Sequence, residues 1–156
     1  MITIKKNKNA DTRSADHKIT YDELKEANDS HRNDVYNVMT FLADKIIESG
    51  KAHDHTKKDY EKEQYKAFIE AQNDIKPFSE SDWYKMHVST ERHHLFSNVV
   101  NDVNLIDILE MISDIICAAG ARNNELINDI KIDSDILNKA IKNTIKLINN
   151  NITIKD

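Results

Sequence analysis

The stretch LIDILEMISDIICAA, residues Leu105–Ala119, holds 11 apolar residues out of 15 with no Gly or Pro among them. Buried strands usually span about 4–8 residues, so an apolar run of this length reads as a helix. A helix that apolar is expected to be central and covered on most sides. Its polar positions are Asp107, Glu110, Ser113 and Asp114. At about 100° per residue the three acids share a stripe about 60° wide. An interior acid is costly unless a cation or a hydrogen bond meets it, so the stripe demands a partner.

Outward from this helix the chain keeps the same character. Only two Gly and one Pro occur in 156 residues, which argues against many short strands and for long helices. The fold class expected is all-α, a helical bundle of about five to seven helices. Residues 1–16 are polar and aperiodic and read as a loose arm, leaving 17–156 as a single domain. Thr20–Glu23 has the form of a capping box opening a short helix. A longer helix follows over about 29–49, ended by Gly50, with Val35, Val38, Met39, Leu42 and Ile46 on one buried face. His31 projects about 40° from Val35, inside that stripe. Thr56 reads as the cap of a helix running to about Asn73. Pro77 ends that pattern, Ser79–Asp82 supplies caps for a short helix carrying His87, and a last amphipathic helix covers about 134–149. No internal repeat is evident. Cys117 reads as buried packing.

Charge and composition exclude several classes. A net charge of −5 does not suit an extended nucleic-acid surface. No apolar run approaches the ~18 residues of a membrane span, and the N-terminus lacks the apolar core of a signal peptide. A single cysteine fits a reducing cytoplasm, the host's if the chain is phage-encoded.

Six of the seven histidines lie between His31 and His94. In order the candidates are His31, the pair His53–Asp54 within KAHDHTK, His87, His93–His94, and then Asp114 or its competitor Asp107. Imidazole nitrogens and carboxylate oxygens are the ligands that Zn, Mn and Fe prefer at neutral pH, and helices direct side chains from separate segments to one point. The absence of thiolates from the set argues for a catalytic centre over a structural zinc site. Read singly, each residue has a plainer explanation: His31 as a core histidine, His53–Asp54–His55 as a polar loop, the acidic stripe as solvated surface. His55 and His17 are expected to be bystanders.

The order His, His-Asp, His, His-His, Asp on a helical scaffold resembles the HD-domain superfamily of metal-dependent phosphohydrolases. HDHTK is similar to its His-Asp-x-x-Lys form, and MHVSTERHH and LIDILEMISDIICAA look like the matching stretches of a small phage and bacterial branch. The resemblance covers roughly residues 31–122. It implies His31, His53, Asp54 and Asp114 as ligands of a primary divalent metal (Mn, Fe, Zn, Ni, Co or Mg), and His87 with His93 or His94 for a second ion. Lys57 matches a substrate-phosphate contact. The Gly-Tyr-Pro signature of the cyclic-dinucleotide phosphodiesterases is missing, and His87 and His93 stand closer together than in that branch.

The chemistry that follows is hydrolysis of a phosphoester or phosphoanhydride bond. A divalent ion lowers the pKa of water from 15.7 toward about 7. Asp54, Lys57 and Glu110 are the candidate catalytic groups, and Lys57, Arg92 and Lys85 the candidate cations for a small phosphorylated substrate, a nucleotide being favoured. The rival readings are a non-catalytic metal- or nucleotide-binding protein and a phage-encoded interaction protein that binds a host partner. The amphipathic last helix offers a homodimer face.

Overall fold

The structure, a computed structural model, describes residues 1–5, 17–123 and 127–155. It is all-α apart from one small sheet. Six α-helices occur among the described residues: α1 (Tyr21–Ala52), α2 (His55–Asp59), α3 (Glu61–Gln72), α4 (Asp82–Thr90), α5 (Leu105–Asn123) and α6 (Ser134–Asn149). No helix among them is long and apolar enough to cross a membrane.

The chain forms two compact units, one made of Met1–Lys45 and Ile145–Asp156, the other of Ile46–Thr144. In the first unit, β1 (Ile2–Lys5) pairs in parallel with β2 (Ile152–Lys155), Ile2 opposite Ile152 and Lys5 opposite Lys155. Both strands read Ile-Thr-Ile-Lys, so an identical tetrapeptide is aligned in register with itself. The start of the expected arm is therefore a strand, with Ile2 buried; residues 6–16 of that arm lie outside the described residues. The capping box forms as expected: Thr20 N donates to Glu23 Oε2 at 2.9 Å and Glu23 N to Thr20 Oγ1 at 3.3 Å. It opens one helix of 32 residues rather than two. Gly50 does not end α1, because its φ is not positive and the helical ladder runs on to Ala52. The expected buried face of α1 is largely open, Val35 being 47 % and Met39 59 % exposed.

The second unit has its core where α5, α6 and the 91–104 segment meet. Leu95, Val103, Ile108, Met111 and Ala140 are buried together, with Val99, Val100, Ile112 and Ile136 packed on them. Asn104 caps α5, its Oδ1 accepting from Ile106 N at 2.8 Å, while Asp107 Oδ2 accepts from Asn104 N at 2.8 Å. Two further bonds fix α6 here: Leu105 N donates to Thr144 Oγ1 at 2.9 Å and Asn143 Nδ2 to the Val103 carbonyl at 2.8 Å. One helix was expected over 56–73; a break at Tyr60 divides it into α2 and α3. Ser81 caps α4, accepting from Tyr84 N at 3.1 Å. α5 is not covered all round, since Leu109 is 45 % exposed and Cys117 is exposed rather than packed.

Candidate metal centre

Where α1 stops, two residues turn the chain before α2 begins, and they are His53 and Asp54. Asp54 has φ 55° and ψ 30°, the left-handed region that Asp and Asn tolerate better than most residues. That turn puts the Asp54 carboxylate among three imidazoles. Its Oδ2 lies 3.2 Å from His53 Nε2, and its Oδ1 lies 3.5 Å from His87 Nε2 and 3.7 Å from His93 Nε2. His94 Nε2 is 2.9 Å from His87 Nε2, and Asp114 Oδ1 is 3.5 Å from His53 Nε2. Two groups have ligand atoms lying within 4.8 Å of one another: His53, Asp54 and His93, then Asp54, His87 and His94. Asp54 belongs to both.

The other nitrogen of each ring is held from behind. Glu110, on α5, accepts from His53 Nδ1 at 3.0 Å, and the same oxygen lies 3.0 Å from His93 Nδ1. Ser49 Oγ donates to its second oxygen. Behind His87 stands Thr56, buried on α2, whose hydroxyl is 2.7 Å from His87 Nδ1 and donates to Glu91 Oε1 at 2.6 Å. The Thr56 proton is committed to Glu91, so the proton between Thr56 and His87 sits on Nδ1. The rings of His53 and His87 thus carry Nδ1–H and turn an Nε2 lone pair toward Asp54, the tautomer a metal-ligating histidine needs. Trp83 stacks on the His87 ring, centroids 4.8 Å apart and planes 12° off parallel, which fixes the ring plane.

Burial sets the protonation of the cluster. His87 is pushed down to about 4, first by burial and then by its neighbour His94. His94 is lowered by burial and by His93. Burial also works against the charge on His93, but its bond to Glu110 outweighs this and its pKa is raised. Glu110 is held at about 2: burial opposes its charge, and the bonds from His93, Ser49 and His53 overcome it. Asp54 is lowered too, Lys57 and the adjacent histidines outweighing burial. Asp54 Oδ1 and His93 Nε2 are buried without a hydrogen-bond partner although each is a strong polar group. Such orphans are costly, and a cation shared between them satisfies both, so the donor set fits a divalent ion.

The remaining sequence-derived residues divide cleanly. His31 belongs to neither ligand group. It sits within the first unit, lining a pocket with Ile4, Ser30, Asp34, Val35 and Val38. Asp107 is no competitor for a metal: Arg92 grips it with two bonds of 2.7 and 2.9 Å. Arg92 is thereby spent on Asp107 and on Asp102 at 3.0 Å and is not free to meet a substrate; its bond to Asp107 raises its pKa further. Lys85 is exposed on α4, about 200° around the helix from His87, and points elsewhere. Lys57 stays at the site, ion-paired to Asp54 and half exposed. His55 pairs with Glu91 at 3.1 Å outside both ligand groups. The supporting shell of Thr56 and Ser49 had no signature in the sequence, since hydroxyl side chains at such positions pass for helix caps.

An all-α chain with four imidazoles gathered around one aspartate is the class these observations define. The chain belongs to the family described as Family of unknown function (DUF5662), whose model matches residues 20–152. No curated protein and no solved structure matches it.

Proposed function

We propose that the protein is a metal-dependent phosphohydrolase of HD-like type, acting on a small phosphorylated molecule in a cytoplasmic setting. The observation that carries this reading is the convergence of His53, His87 and His93 Nε2 on Asp54, with the Nδ1 of His53 and of His87 hydrogen-bonded behind. Asp54, His53 and His93, with Asp114 beside them, would hold one divalent ion; Asp54, His87 and His94 would hold another. A divalent ion so held lowers the pKa of a water and offsets charge on phosphoryl oxygens. Asp54 positions that water through whichever carboxylate oxygen faces it. Lys57 is the one candidate cation left beside the site, and it exchanges its Asp54 contact for a substrate phosphoryl oxygen. Glu110 is a positioning residue, keeping two rings in register. The exposed stripe Leu137, Ile141 and Ile145 on α6, spaced four residues apart, offers a face for a second copy.

Metal titration of chelator-treated protein, followed by phosphate release from a broad ester panel, tests the reading. Asp54→Asn is the informative variant because Asn accepts the left-handed backbone that Ala does not. Bound Mn raising the thermal midpoint, with turnover lost in Asp54→Asn, is the expected result. A midpoint unmoved by Mn and no phosphate release would end the proposal.

A further inference from the structure

Beside the cluster a cleft of about 270 Å³ opens between the last turns of α1 and one face of α5. Its inner end is His53, Glu110 and Asp114, so it is continuous with the candidate centre. Ile46, Ile106, Leu109 and Cys117 form its walls, and no lysine or arginine among the described residues lines it. Small-molecule sites run from about 300 to 1,000 Å³, so this one accepts about a single ring or a short branched chain. A second phosphate or a sugar acid placed there would face two carboxylates without a cation.

Gly50 stands on the rim. Glycine inside a helix is destabilising relative to alanine. Neither backbone nor packing calls for it here, since its φ is not positive and a Cβ added to it meets nothing within 4 Å.

We infer that this cleft receives the uncharged, apolar alcohol portion of a phosphomonoester, with Gly50 setting how large that portion can be. The inference rests on the phosphohydrolase reading for the reaction. In that reaction the water oxygen joins phosphorus, the P–O bond to the alcohol breaks, and a water proton ends on the departing alkoxide, giving alcohol and inorganic phosphate. The ligand's single phosphoryl group lies at His53 and Asp114, and its apolar body lies between Ile46 and Ile106.

The test has two readouts. Mn-loaded protein is assayed on cyclohexyl, phenyl and methyl phosphates, glucose 6-phosphate and ATP. Metal-free protein is titrated with cyclohexanol while the methyl resonances of Ile46 and Ile106 are followed. The inference expects kcat/KM highest for the cyclohexyl and phenyl esters, and saturable shifts of both isoleucines. In Gly50→Leu the cyclohexyl-to-methyl ratio of kcat/KM falls tenfold or more, the scale on which added methylene bulk discriminates in a pocket, and the isoleucine shifts vanish. Should Gly50→Leu misfold, Gly50→Ala serves: its thermal midpoint rises while the ratio falls by a smaller factor. Cyclohexanol binding without hydrolysis of any ester would retire the hydrolase reading and keep the cleft assignment. ATP or glucose 6-phosphate as the best substrate, or no cyclohexanol binding to folded wild type, overturns it.

Discussion

The hydroxyl of Thr56 lies 2.7 Å from Nδ1 of His87, and both groups are buried. Because the same hydroxyl donates to Glu91, Thr56 dictates which nitrogen of His87 carries the proton. A residue with no ligand atom in the cluster thus controls the chemistry of one that has.

Thr56→Val keeps the shape and removes the hydroxyl. Affinity for Mn should fall about 10- to 100-fold, the usual cost of losing an outer-shell partner. Thr56→Ser should recover most of it. A Val variant that binds Mn like wild type would show that His87 needs no such support.

Glu110→Gln leaves one carbonyl oxygen where two carboxylate oxygens receive His53, His93 and Ser49. Its Mn affinity should fall by a similar factor, and the raised pKa of His93 should drop in proton-detected NMR of the metal-free protein. An unchanged His93 titration would contradict the positioning role.

Arg92→Ala strips the buried Asp107 of its guanidinium. Breaking a buried pair costs about 3–5 kcal/mol, and partial exposure of Arg92 brings the expectation to about 2 kcal/mol. Urea unfolding reads this directly. Turnover per folded molecule should be preserved, and its loss in a well-folded variant would return Arg92 to the substrate site.

The metal-free protein should weaken in mild acid. His87 has a folded pKa of about 4 against an ordinary value of 6.5, so the unfolded chain takes up its proton first as pH falls. Its contribution is complete above 6.5 and is lost between 6.5 and about 4, up to about 3 kcal/mol. His93, raised by Glu110, acts in the opposite sense, losing its contribution as pH rises above 6.5. Melting in His87→Gln should therefore show a flatter profile between pH 4 and 6.5; a profile as steep as wild type would assign the slope to another group.

Helix content was readable from Gly and Pro scarcity and from apolar spacing, and α6 begins and ends where the pattern says. The His-Asp pair and the later histidines were readable too, because short polar insertions between apolar helices are conspicuous. Three things were not. His31 shares a stripe with Val35, but a stripe fixes direction around a helix and not position along it. Asp107, Glu110 and Asp114 occupy one face at different depths, and only their partners separate a capping ion pair, a ring support and a candidate ligand. Gly50 has the residue type of a helix end, yet no local rule distinguishes a terminator from a glycine on the rim of a cleft. The Ile-Thr-Ile-Lys repeat is too short to stand out in a chain of 156 residues.

That repeat has a consequence for biosynthesis. β1 leaves the ribosome about 150 residues before its partner Ile152–Lys155. Closing a loop that long costs about 4 kcal/mol by chain entropy alone, more than a four-residue ladder is expected to return. The strand pair therefore forms late, after helical structure has shortened the effective loop. Until then, Ile2 and Ile4 belong to an unpaired, β-prone segment, for which the same tetrapeptide on a neighbouring nascent chain is an equivalent partner.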